Sequence, residues 1–309
     1  MFPHPPDRTQ RKTLQLLAEA IELHDDSIDA LEQAIPEMHS IDLSQTNLQD
    51  LSPLSGLVWL EALNLEKTQV RELSPLAWLT QLTELRLSEI PASDFAPLAS
   101  LHSLECLFLT GTRFADTRTL SALTALRFLD LGSTAIRDLT PLAALHQLTH
   151  LSLSGTSITD VTALAGLQAL ERLFLMGCRR LADLSPLAGL RRLQELALTV
   201  EPSVQLAPLA QLTALRSLYF TNSLLPDLSA LAGLTGLRTL VMAGCSVRDV
   251  SALSGLTGLR RLDLGRCPVA DYTPLTNLTD LMILRVGSPD VPGADALRQL
   301  PQTRVFFQP

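Results

Sequence analysis

From Ile41 onward, one pattern of apolar and polar positions, L-x-L-x-x-T-x-I-x-D-L-S-P-L-x-x-L-x-x-L-x-x, returns every 22 residues. It opens at Ile41, Leu63, Leu85, Leu107, Leu129, Leu151, Leu173, Leu196, Leu218, Leu240, Leu262 and Leu284, and only the unit at Leu173 is one residue longer, around Cys178-Arg179-Arg180-Leu181. Phe306 is expected on the next first position, so that Val305-Phe306-Phe307 forms a truncated thirteenth strand. Positions 1 and 3 are apolar between polar or variable neighbours, the period-two signature of a short strand with one buried face. Position 6 holds a small side chain, either Thr46, Thr68, Thr112, Thr134 and Thr156 or Cys178, Cys245 and Cys267, suited to the inside of a turn leaving the strand. Ser/Thr-Pro at positions 12 and 13, as in Ser52-Pro53 and Thr140-Pro141, predicts an N-cap with proline at N1 of a short helical or 3-10 turn. Leucines at positions 14 and 17 then point that turn inward at three-residue spacing.

One such unit cannot bury its own leucines, whereas stacked neighbours share a continuous core and a parallel sheet. With strands about 4.8 Å apart, thirteen of them predict an arc of roughly 60 Å. The fold class expected is an α/β solenoid, a horseshoe or arc with its sheet on the concave side and 3-10 or helical turns on the convex side. Residues 1–40 lie outside the repeat and predict a helical N-terminal cap, leaving 41–309 as a solenoid of 12 repeats plus a terminal strand. Leu14, Leu17, Ala18 and Ile21 share one face of a helix over 9–23. Ser27 would cap a second helix with Ile28, Leu31 and Ile35 on its apolar side and Pro36 after its stop. Ile90-Pro91 and Glu201-Pro202 occupy the turn in the repeats at Leu85 and Leu196, where a local bulge or shift is expected.

The motif L-x-x-L-x-x-L-x-L-x-x-T-x-I-x-D-L-S-P-L, over residues 41 to about 305, resembles the 22-residue leucine-rich repeats of bacterial internalins. The regulatory subunit of type-1 protein phosphatase is similar, using the same repeat class. This chain departs from the pattern in carrying Thr or Cys at position 6, where asparagine is usual. The resemblance implies a solenoid that binds other proteins without catalysis of its own.

If positions 1 and 3 point inward, positions 22, 2 and 4 face outward on the concave sheet. Position 2 then displays Arg86, Phe108, Asp130, Phe174, Tyr219, Val241, Asp263 and Arg285, and position 22 displays Phe128, His150, Arg172 and Arg261. Position 4 is mostly small, with Met176 the exception. Aromatic and arginine side chains set among small residues make up protein-binding hot spots, so these thirteen residues are the candidate partner-binding surface.

Composition narrows the alternatives. Leucine fills 70 of 309 positions, the net charge is -8, and residues 1–50 alone carry ten acids against three bases. An acidic balance speaks against nucleic-acid binding, and no apolar run reaches the roughly 20 residues of a membrane span. The polar, proline-rich start Met1-Phe2-Pro3-His4-Pro5-Pro6 lacks the apolar core of a secretion signal, and four cysteines in buried or unpaired slots suit a reducing compartment. A cytoplasmic location is therefore expected, with a secreted effector lacking a cleavable signal as the alternative. Two lysines against 22 arginines fit either an effector that avoids ubiquitin or a GC-rich genome.

Catalytic and metal readings are weaker. Asp130, His150 and Ser152 carry the atoms of a triad, yet an open sheet spends its backbone N–H groups in the ladder and leaves no oxyanion donors. Position 10 is acidic in ten of 12 repeats, but one carboxylate per site falls short of calcium's several oxygens. Such an Asp is better suited to accept backbone N–H bonds at the start of the next turn. No C-x-x-C or His/Cys cluster supports zinc, and Cys245 and Cys267 are read as structural thiols in neighbouring repeats. The sequence thus predicts a monomeric, non-enzymatic module without cofactor or metal that grips a protein partner. An enzyme regulator of the phosphatase or toxin-neutralising kind, or an effector delivered to host cells, is the alternative.

Overall fold

The structure of the protein, a computed structural model, describes residues 8–20, 38–225 and 227–308. Two compact units divide at Leu151 and Ser152. The first carries β1 (Ser40–Asp42), β2 (Ala62–Asn64), β3 (Glu84–Arg86), β4 (Cys106–Phe108) and β5 (Phe128–Asp130), with β6 (His150–Ser152) at the division. The second carries β7 (Arg172–Leu175), β8 (Glu195–Leu198), β9 (Ser217–Phe220), β10 (Thr239–Val241), β11 (Arg261–Asp263), β12 (Ile283–Val286) and β13 (Arg304–Phe307). Strand order follows chain order, and each pairing within a unit is parallel and advances by one repeat, as in Leu63 opposite Leu85 and Leu240 opposite Leu262. An open solenoid of short parallel strands and 3-10 turns is therefore the observed architecture, as the repeat predicts.

Each apolar slot of the pattern is filled by a core residue. In the repeat at Leu129, the side chains of Leu129, Leu131, Ile136, Leu142, Leu145 and Leu148 are all fully buried. Position 5, which the pattern left unassigned, is where the strand turns over, and it takes the left-handed conformation in repeat after repeat. Glycine stands there at Gly111, Gly155, Gly177 and Gly244, but Gln45, Lys67, Glu89, Ser133, Asn222 and Arg266 hold the same positive φ, between 47° and 60°. The threonine that follows closes the turn, its hydroxyl donating to the position-3 carbonyl of its own repeat, as Thr134 does to Leu131 at 2.6 Å. Cysteine in that slot bonds differently. The Cys178 and Cys267 thiols donate to the position-3 carbonyls of the preceding repeat, Leu153 at 3.1 Å and Met242 at 3.0 Å. All four cysteines are free, so Cys245 and Cys267 are thiols as expected.

The start of the 3-10 turn corrects the predicted cap. Ser52 and Thr140 are the first residues of their turns, with Leu51 and Leu139 at the N-cap and proline one place further in than expected. The carboxylate two residues before does the capping. Asp50, Asp138, Asp160, Asp183, Asp249 and Asp271 each accept the backbone N–H of the residue two further on at 2.7–2.8 Å.

The thirteenth strand is also shifted by one residue. Leu284 pairs with Val305 and Arg285 with Phe306, so Val305 takes the first position and Phe306 the outward second one. The final unit is shorter than 22 residues because it replaces the 3-10 turn with α-helix α2 (Ala294–Leu297), entered through left-handed Gly293. The two irregular repeats differ from each other. At Ile90 the regular turn persists, with Glu89 left-handed and the small Ala92 followed by Phe95, whose ring meets Phe114 edge-on at 5.3 Å. At Glu201 the ladder breaks: the Gly177 N–H turns to the Thr199 hydroxyl at 2.8 Å, and that of Val200 to the Ser223 hydroxyl at 2.9 Å. The longer repeat absorbs its extra residue in tight turns, Arg179 N–H to Gly177 and Leu181 N–H to Cys178.

Helix α1 (Arg8–Ala20) lies against the first 3-10 turn and buries Leu14, Leu17 and Ala18, while the Thr13 hydroxyl donates to the Asp50 carbonyl at 3.0 Å. Ile21 and the helix expected from Ser27 to Ile35 lie outside the described residues.

Candidate functional site

In the first unit, the predicted surface residues assemble into a ladder. Register places Arg86 beside Phe108 and Cys106 beside Phe128. The Arg86 guanidinium sits 4.3 Å over the Phe108 ring, Phe108 and Phe128 are 4.6 Å apart at a 32° tilt, and Phe128 stacks on His150 at 5.6 Å. This is the cross-strand form of aromatic and cation–π contact, in which each side chain covers its neighbour's face. All four are half-buried, and so are more sheltered than the sequence pattern implied. Glu84 holds the guanidinium from the same strand through Arg86 Nε at 2.7 Å. The His150 ring has Nδ1 2.8 Å from the Thr149 hydroxyl. Asp130 spends Oδ1 on the Gly132 N–H at 2.9 Å. Cys106 is half-exposed in the midst of this group, and its thiol is pushed up first by burial and then by the Glu84 and Glu105 carboxylates. A thiol so placed is a poor nucleophile at neutral pH.

In the second unit the predicted residues are more dispersed. Phe174 and Tyr219 are half-buried and flank Ala197, which is buried, so a methyl group stands between two ring-bearing strands. Beyond them, Met176 is exposed, and Val241 lies between Tyr219 and Asp263 in the register. Arg172 lies 3.5 Å from Glu195, and Arg261 is exposed. Asp263 is buried and engaged by Arg285 at 3.0 Å and by the Gly265 N–H at 3.1 Å. It is therefore the candidate least available to a partner. Arg285 in turn reaches toward the Phe306 ring at 6.0 Å. Phe306, 45% exposed, was missed as a surface residue because the repeat count placed it in the core position. Trp78, 68% exposed on its 3-10 turn, was missed because only strand positions were searched for display.

Among the described residues, no group of three or more His, Cys, Asp or Glu could hold a metal ion, and the position-10 aspartates accept hydrogen bonds from their own turns. No helix among them is long and apolar enough to cross a membrane.

Comparison with known proteins agrees with this geometry. A family model described as leucine-rich repeats in two copies matches residues 146–189. No curated protein matches by sequence. An internalin, InlF, from Listeria monocytogenes superposes with a TM-score of 0.85 at 26% identity, over 98% of this chain and 89% of that one. Internalin C2 from the same species gives 0.59 at 26% identity, over 76% of this chain and 94% of its own. The plant peptide hormone receptor RGFR1, solved in complex with RGF2, shares the fold with a TM-score of 0.65 at 16% identity, over 90% of this chain and 48% of that one. This fold typically serves protein–protein interaction and is generally non-catalytic. With its 22-residue units, parallel strands and 3-10 turns, the chain has the leucine-rich-repeat fold and is similar to the Listeria internalins.

Proposed function

We propose that the protein is a non-catalytic interaction module that grips a protein partner on the open face of its sheet. The observation that carries this reading is the Arg86–Phe108–Phe128–His150 ladder. Three flat rings and a guanidinium, immobilised against one another, give large contact area at little further entropic cost, which is what distinguishes an energetic anchor from ordinary exposed apolar surface. Position-4 residues beside it are small, as at Ser88, Thr110 and Gly132, so a partner's backbone can approach the strands closely. Phe174, Met176, Tyr219 and Val241 offer a second, apolar contact zone, with Arg172 and Arg261 at its edge. Four free thiols, three of them buried, support the cytoplasm as the working compartment.

Affinity capture from the source cell's lysate tests the proposal, with the intact protein beside a Phe128→Glu/Phe174→Glu form that melts normally. A protein retained by the first and lost by the second is the expected result. Equal retention by both forms would remove the open face as the site.

A further inference from the structure

We infer that the second unit carries a separate docking edge for an acidic protein segment, built from a preset row of arginines where each chain segment enters its strand. Position 21 is Arg216, Arg238 and Arg260 in three successive repeats, and their backbones are joined directly, Arg238 N–H to Arg216 and Arg260 N–H to Arg238, each at 2.8 Å. Two guanidiniums are also fixed. Arg216 Nη1 donates to the Gly236 carbonyl and Arg238 Nη1 to the Gly258 carbonyl, both at 2.9 Å in the following repeat. Glycine is what permits this, since a Cβ at Gly236 or Gly258 would overlap the arginine's Nη1. Arg216 spends one of its five donors in this way and Arg238 two, its Nη1 also reaching the Leu237 carbonyl at 3.4 Å, and the remaining donors of each fork are left for carboxylate binding.

One repeat earlier the position-21 residue is Gln194, and the neighbouring Arg191 and Arg192 line a shallow depression of about 450 Å³ with Arg216, Gln194 and Glu171. Among the described residues, Arg191, Arg192 and Arg260 have no salt bridge, and all three are exposed. The five residues leading into each of β7 to β12, 168–172, 191–195, 213–217, 235–239, 257–261 and 279–283, hold seven arginines and three acids. The corresponding residues of the first unit, 58–62, 80–84, 102–106, 124–128 and 146–150, hold one arginine and three glutamates. A positive edge on a chain of net charge -8 is thus local and confined to one unit. Its occupant is a short acidic peptide rather than a polynucleotide. These six segments contain no aromatic side chain on which bases would stack. Guanidiniums repeated about every 4.8 Å, the spacing of the strands, lie within reach of the flexible carboxylates of an extended Glu-rich chain.

The test is fluorescence anisotropy with a labelled 15-residue polyglutamate peptide, a polyglutamine peptide of the same length and a 15-nucleotide oligo(dT). The intact protein should bind polyglutamate in a salt-dependent manner and ignore polyglutamine. Arg216→Gln/Arg238→Gln/Arg260→Gln should weaken binding at least tenfold. Arg191→Gln/Arg192→Gln, which breaks no hydrogen bond, should weaken it severalfold and serves if the triple form melts early. Gly236→Ala/Gly258→Ala keeps every charge but displaces the fork, so a severalfold loss is expected there too. Phe128→Glu/Phe174→Glu should bind the peptide normally, which separates this edge from the open face. Undiminished binding by both arginine forms would overturn the edge, and undiminished binding by the glycine form would overturn the preset row. Oligo(dT) binding as tightly as the peptide, with the same sensitivity to the arginine changes, would overturn the choice of partner.

Discussion

Single residues in this fold repeat their task about a dozen times, so one substitution reports on a slot rather than an accident. Leu131 is fully buried beneath the strand, and Leu131→Ala should cost about 2–5 kcal/mol in urea titration, through lost burial and the cavity left behind. The position-5 slot has a sign that depends on the residue already present. Gly111 has φ 71°, and a Cβ there would stand 3.1 Å from Glu89 Cγ, so Gly111→Ala should destabilise. Arg266 bears the same conformation with a side chain, and Arg266→Gly should stabilise by about 1 kcal/mol, the left-handed penalty less the entropy that glycine adds to the unfolded chain. A melt in which Arg266→Gly is less stable than the parent would show that its side chain compensates for the strain. The cysteines divide sharply. Burial pushes the Cys267 thiol up to about 11, and Cys178 and Cys245 are raised for the same reason. Titration with a disulfide reagent at pH 8 should therefore find one slowly reacting thiol, Cys106, in the native protein and four after denaturation.

The 3-10 turn is an element in which the sequence pattern was right about location and about the position-10 aspartate, and wrong about the Ser/Thr N-cap. Ser/Thr-Pro marks where the turn begins, but the cap is the position-10 carboxylate, and its effect is visible in titration. Hydrogen bonds from the residue two further on hold Asp138, Asp160, Asp183, Asp227 and Asp271 below the ordinary carboxylate range. In Asp116 the Arg118 side chain leads, and in Asp249 the backbone bond does. A carboxyl group lowered by folding binds its proton less readily in the native state than in the unfolded one. Its contribution is therefore fully present above the unfolded value of about 3.9 and is lost as pH falls through the native value. Denaturant midpoints should hold level from pH 7 to about 5 and then fall steeply, and Asp138→Asn/Asp160→Asn should fall less steeply over the same range. Parallel profiles for the variant and the parent would show that these carboxylates do not set the acid limit. Glu72 and Gln205 stand at the same place in their repeats, so the cap is a feature of the repeat class met unevenly along the chain.

For the whole molecule, the strict 22-residue period made the architecture legible, because every leucine spacing had the same explanation. What escaped was whatever broke the period. The count carried Phe306 one residue too far because α2 shortens the last unit, and Trp78 was overlooked on a turn that no strand pattern describes. The display positions Arg86, Phe108, Phe128 and His150 could be read from alternation alone. Their stacking could not, since the pattern fixes which way a side chain points and not how far it leans across to the next strand. The arginine row lay hidden for a related reason: its meaning depends on a glycine 20 residues later. Arg127 occupies the same position as Arg216 and Arg238, but it is followed by Gln147 and leans back toward Glu105 at 3.6 Å. Such pairing across a repeat boundary restricts how this chain can be rearranged. A repeat ending like Arg238 keeps its guanidinium on the next repeat's carbonyl only where that repeat brings its own glycine, so the units resemble numbered links more than interchangeable beads. Genetic duplication or shuffling of single repeats in this part of the chain would preserve the leucines and still turn a guanidinium away from its carbonyl, as Arg127 is turned.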